Sequence, residues 1–162
     1  MRPVPEYDPR SWLLKALRET AHAMEALLWD VDDDCLERQP GGDQWSCAEL
    51  ITHMTEMERR FLDRLERMVR LDEPRIAAFD ADSIDAPERQ SVYDAMDDLG
   101  ELRRRTVYLL WSLDDGDWRR KGVHPYLGPL TIMQVAREMN EHDLSHLWQL
   151  RRLCDQFSAA SV

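Results

Sequence analysis

The chain has 162 residues, of which 43% are hydrophobic and 33% charged, and its formal net charge is -11. Those values predict one folded domain over 1–162 and exclude a disordered chain, while so negative a surface argues against nucleic-acid and anionic-membrane partners. No apolar run approaches the roughly 20 residues of a bilayer span, and the start Met1-Arg2-Pro3-Val4-Pro5-Glu6-Tyr7-Asp8 has no apolar stretch of the signal-peptide kind, so a cytoplasmic protein is expected.

Four segments carry helical periodicity. The first begins near Asp8-Pro9 or Ser11, a cap followed by proline in the first turn. Leu13, Leu17, Ala21, Met24, Leu28 and Val31 then recur every three or four residues and make one apolar stripe. Asp32-Asp33-Asp34 and Pro40-Gly41-Gly42 close that pattern.

The second segment opens with Ser46-Cys47-Ala48-Glu49, a capping box, and its stripe is Leu50, Met54, Met57, Phe61, Leu65 and Met68. Residues 70 to 88, rich in Asp and Pro, read as a connection longer than a compact bundle needs, one that crosses over or covers an end of the bundle. The third segment starts near Ser91, with Val92, Met96, Leu99, Leu102, Thr106, Leu109 or Leu110, and Leu113 on its stripe. Gly100 inside it costs roughly 1 kcal/mol against alanine, and a closely packed neighbouring helix would account for it.

From Asp114 to Pro129, two prolines and three glycines rule out a helix. A third capping box, Thr131-Ile132-Met133-Gln134, opens a last helix running to about Gln156. No set of short strands with period-two alternation is visible. Four amphipathic helices bury their stripes most simply against one another, so the predicted fold class is all-α, a four-helix bundle.

Cys35, Cys47 and Cys154 are odd in number and form no C-x-x-C, which predicts reduced thiols. Metal chemistry therefore falls to histidine. His142 and His146 stand four apart on the last stripe, which puts their Cβ atoms about 5–6 Å apart on one helix face. His53 lies on the apolar face of the second helix, between Leu50 and Met57. Buried imidazoles need hydrogen-bond partners or a metal, and three on apolar faces point to one divalent ion. Because ligating imidazoles must be neutral, acid below about pH 6 should release it. His142-Asp143-Leu144-Ser145-His146 lacks the Glu of a zinc-protease helix, and Glu49–His53 and Glu138–His142 are spaced by four, not by the three of a di-iron bundle. His22 and His124 read as surface or loop residues. Glu49 either orients a ligand or acts as a base, or only completes its capping box. Asp143 supports a ligand or faces solvent, and Trp45 and Trp148 line a pocket or simply pack.

Trp45-Ser46, His53 and Glu58, then Gly128-Pro129-Leu130-Thr131, and above all His142-Asp143-Leu144-Ser145-His146-Leu147-Trp148-Gln149-Leu150, resemble the DinB/YfiT-like superfamily over most of the chain. The resemblance implies a four-helix bundle with a long crossover and a divalent metal on His53, His142 and His146. It names nickel or zinc first, with iron or manganese as further candidates, and it implies a homodimer. Relatives with known activity include transferases and isomerases that use low-molecular-weight thiols. Three imidazoles leave coordination positions open, which suits a working site. The reading is a divalent-metal-dependent enzyme acting on a small molecule, first a thiol-dependent S-transferase, with a metal-dependent hydrolase or a non-catalytic metal-stabilised binding module as alternatives. The residues assign no catalytic acid or base.

Overall fold

Asp8 opens the first helix as its sequence predicts. Its carboxylate accepts from the Arg10 and Ser11 amides, and α1 runs Pro9–Trp29 with Leu13, Leu17, Ala21, Met24 and Leu28 buried. This computed structural model describes residues 8–42, 44–79 and 91–159. The acidic stretch does not only end α1. Asp33–Leu36 forms a one-turn helix, α2, that tucks Cys35 and Leu36 into the core. Two acidic residues in its first turn face the positive end of the helix dipole, which offsets their poor intrinsic propensity.

The Ser46 capping box is complete, and α3 spans Cys47–Arg70 with its whole predicted stripe buried. Ser91 caps α4, Val92–Trp111. Thr131 and Gln134 form the third box, Thr131 N donating to Gln134 Oε1 at 2.8 Å, and α5 runs Ile132–Ala159.

The helices are not a simple up-and-down array. Thr55 Oγ1 donates to Ala95 O at 2.9 Å, and Glu58 meets Arg103 and Thr106, so α3 and α4 rise in the same direction. His53 meets His142 while Arg64 meets Glu138, so α3 and α5 run antiparallel. A parallel α3–α4 pair needs a crossover the length of the bundle, about 36 Å for the 24 residues of α3. The long connection predicted from residue 70 to 88 supplies it as far as residue 79; its remainder lies outside the described residues.

The stretch from 114 to 129 contains no α-helix but is more ordered than its Pro and Gly content suggested. Asp117–Arg119 is a 3-10 turn, and β1 (Lys121–His124) pairs antiparallel with β2 (Gly128–Thr131). Arg75 joins Val123 in a parallel bridge, so the start of the crossover lies along this hairpin. Arg120 closes the end of α3, donating to Met68 O at 2.9 Å and Leu71 O at 2.8 Å. Gly122 is needed here: a Cβ would sit 2.8 Å from Ile76 Cγ2 and 3.0 Å from Met68 Cγ. Gly100 is different, because a Cβ there meets nothing within 4 Å; no neighbouring helix packs closely on it.

Two apolar clusters fill the bundle. One gathers the C-terminal half of α1, α2, the N-terminal halves of α3 and α4, and the C-terminal half of α5. The other gathers the opposite halves together with Ile76 and Trp118. A polar seam crosses the bundle between them.

Candidate metal centre

His53 comes into the seam from α3, and His142 and His146 from consecutive turns of α5. One ligand atom from each lies within 4.8 Å of the others. His53 Nε2 and His142 Nε2 are 3.3 Å apart. Two nitrogens at about 2.05 Å from a tetrahedral ion would be about 3.3 Å apart, so this pair is already spaced as two ligands.

The surroundings hold the rings in place. Trp45 packs on His53 with centroids 4.7 Å apart and stacks on His146 at 6.3 Å. Phe61 meets His142 edge-on at 6.1 Å. Gln149 Oε1 lies 2.9 Å from His146 Nδ1, which assigns the proton to Nδ1 and makes Nε2 the nitrogen that carries the lone pair. Among the described residues, the buried Nδ1 of His53 has no hydrogen-bond partner. Burial, then the neighbouring His146 and His142 and the charge of Arg60, lower the His53 pKa to about 3. His53 therefore stays neutral well below the pH at which an ordinary imidazole protonates. A preassembled cluster of three imidazole donors fits a divalent cation.

Directly behind this cluster lies a buried ionic network; the sequence reading named its Asp143 and Glu58 but not Arg103, which joins them. Arg103 on α4 donates to Glu58 Oε2 at 2.8 Å and pairs with Asp143 Oδ2 at 2.7 Å, and all three side chains are at most 4% exposed. Arg103 also donates to Leu17 O, Thr106 Oγ1 donates to Glu58 Oε1 at 2.6 Å, and Thr20 Oγ1 lies 3.1 Å from Asp143 Oδ2. Every long helix contributes a residue. Burial alone would raise the Asp143 carboxyl, but Arg103 and then His142 outweigh it and hold it below the usual carboxylate value. Asp143 thus faces the interior, with Oδ1 3.9 Å from His142 Nδ1. The signal was present in the periodicity: Glu58, Arg103 and Asp143 each stand on the buried stripe of their helix.

Other candidates sort clearly. Glu49 completes its capping box, taking the Ser46 amide at 2.8 Å, and also holds Gln39. Trp45 borders the imidazoles, whereas Trp148 is 63% exposed under Arg151. His22 is exposed, and His124 Nδ1 accepts from the Tyr126 and Leu127 amides in the hairpin turn. The three cysteines are buried, and none of them forms a disulfide among the described residues. No described helix is long and apolar enough to cross a membrane.

A family model described as the DinB superfamily matches residues 16–150. Among solved structures, the chain is similar to YfiT from Bacillus subtilis, with a TM-score of 0.72 and 17% identity over 94% of this chain and 92% of that one. YfiT is described as a probable metal-dependent hydrolase with an unusual four-helix bundle topology. At that identity the likeness shows the fold. No curated protein sequence matches the chain.

Proposed function

The chain belongs to the DinB superfamily, and we propose that it is a divalent-metal-dependent enzyme whose His53, His142 and His146 hold one ion, nickel or zinc, beside a small-molecule substrate. The convergence of one nitrogen each from His53, His142 and His146 within 4.8 Å carries this reading, with the His53 and His142 Nε2 atoms 3.3 Å apart, the spacing of two ligands on one tetrahedral ion. Closed structural zinc sites usually take four protein ligands, so three leave room for reaction. When bound, such an ion makes a coordinated water or substrate thiol a nucleophile at neutral pH.

The chain's own residues prepare the site. Gln149 fixes the His146 tautomer, Trp45 and Phe61 set the imidazole planes and keep water from their flanks, and Asp143 backs His142. The reaction proposed first is S-transfer from a low-molecular-weight thiol to an electrophile. Hydrolysis is the second reading, supported at the level of fold by the likeness to YfiT.

Elemental analysis of the untagged protein beside a His53→Ala/His142→Ala double variant tests the centre. About one equivalent of nickel or zinc, lost in the variant, is expected. No metal in the wild type even after reconstitution would refute it. Metal-loaded protein should then transfer a thiol to an electrophile. Transfer from no common low-molecular-weight donor sinks the transferase reading, and thiol-independent ester or amide cleavage would favour the hydrolase.

A further inference from the structure

One region of this acidic protein is cationic. Arg59, Arg60, Arg64 and Arg67 of α3, together with Arg75 of the crossover, line a groove of about 750 Å³ roofed by Phe79. Among the described residues, two carboxylates, Glu56 and Asp63, line it with them, in a chain whose formal net charge is -11. The size is that of a small-molecule site.

The groove lies beside the metal centre, with the buried Phe61 between them. Phe61 touches His142 at 6.1 Å on one side and Phe79 at 5.2 Å on the other. Arg60 is seven residues beyond His53 on α3, about 10 Å along the helix.

Arg64 is the built element. Its side chain is 4% exposed, it lies 4.1 Å from the centre of the Phe79 ring, and it donates to Ala77 O at 2.8 Å. Outside the groove lining, Glu138 of α5 pairs with its Nη1 at 3.5 Å, and its Nε has no hydrogen-bond partner among the described residues. A guanidinium held flat by a ring, with a buried donor still unmatched, suits a planar or tetrahedral oxyanion. Arg60 is held by Glu56 at 3.0 Å, a half-exposed pair of the kind that an incoming anion readily displaces.

We propose that this groove is the anion subsite of the enzyme: it binds a small molecule through a carboxylate or phosphate held by Arg60 and Arg64, with the reacting end of that molecule directed to the three imidazoles. The proposal names the substrate class of the function proposed above and rests on that reading only for where the reacting end lies.

Isothermal titration of the metal-free protein with succinate and, separately, inorganic phosphate tests it, the arginine variants separating binding in the groove from binding at the imidazoles. Saturable binding of one or both is expected, with Kd raised at least about 10-fold in Arg64→Gln and Arg60→Gln and unchanged in Arg18→Gln, which lies in the separate α1–α4 groove. The preferred anion identifies the substrate's charged group. No saturable binding of either anion, or binding that Arg60→Gln leaves undiminished, overturns the proposal. Arg60 is on the surface, so its variant keeps the test decisive if Arg64→Gln fails to fold. Metal content of Arg60→Gln should equal the wild type. Anion binding in a protein that takes up no metal would refute the metal centre and leave the groove standing, while metal without anion binding would do the reverse.

Discussion

Arg103→Met is the sharpest perturbation of the seam. The variant keeps most of the side-chain volume and removes the one cation between Glu58 and Asp143, which pair with it at 2.8 and 2.7 Å in a nearly dry interior. Breaking a buried pair by deleting one partner costs about 3–5 kcal/mol, because the surviving charge stays desolvated. Here two carboxylates survive, so the upper part of that range is expected, against a total stability of about 5–15 kcal/mol. The pH dependence fixes the cause. In the wild type, Arg103 overcomes the effect of burial and holds the Asp143 pKa below its unfolded value of about 3.9, so this contribution is present above that value and lost as pH falls through the folded one. Without Arg103, burial dominates and the folded pKa rises above 3.9, so the variant gains stability as pH falls toward it. Urea denaturation of both metal-free proteins at pH 7 and pH 5 should therefore show a gap that narrows in acid. A loss under about 1 kcal/mol at pH 7, or a gap that does not change with pH, would refute the account.

Three further outcomes are expected. Gln149→Ala frees the His146 tautomer and should weaken metal affinity about 10- to 100-fold with the fold intact by circular dichroism; unchanged affinity would mean that the 2.9 Å contact does not orient the ligand. Since His53 is driven to about 3 by burial first and by its neighbouring histidines next, the unfolded chain takes up its proton at a higher pH than the folded one; metal-free stability should fall as pH drops from about 6.5 toward 3, by at most about 1.4 kcal/mol per pH unit from this group, and His53→Gln should flatten that slope. Equal slopes in the two proteins would contradict it. Gly122→Ala drives a methyl group to 2.8 Å from Ile76 Cγ2 and should cost about 1–3 kcal/mol in thermal unfolding, whereas Gly100→Ala, with open space, should stabilise α4.

The helices were legible because their caps and stripes are local signals: Asp8, Ser46, Ser91 and Thr131 each begin an element where the sequence placed it. The three histidines were legible from their stripe positions and from the closing H-D-x-x-H-x-x-Q segment. What stayed hidden depends on tertiary contact. The β1–β2 hairpin is only four residues a side and shows too little alternation to read, and its support comes from Arg75 and Ile76, more than forty positions away. α2 was masked because an acidic run reads equally as a helix end or a helix start. Arg103 stands among Arg103-Arg104-Arg105, and only the packing shows which of the three turns inward. The arginine groove needed the crossover laid over α3 to become a concavity.

The seam also explains why the bundle has one register. Leucine and methionine stripes, with little directional preference, could slip by one turn, about 5.4 Å, at modest cost. Such a slip would part His53 from His142 and His146, which come from different helices and must meet within the 4.8 Å they now span. It would also pull Arg103 on α4 from Glu58 on α3 and Asp143 on α5, leaving buried charges unpaired at a cost of several kcal/mol. Asp143 directly follows His142 in the chain, so the ion pair that locks α5 to α4 also sets the height at which α5 offers its imidazoles to α3. The polar layer weakens the core as packing, and in return it fixes the geometry that the three histidines require.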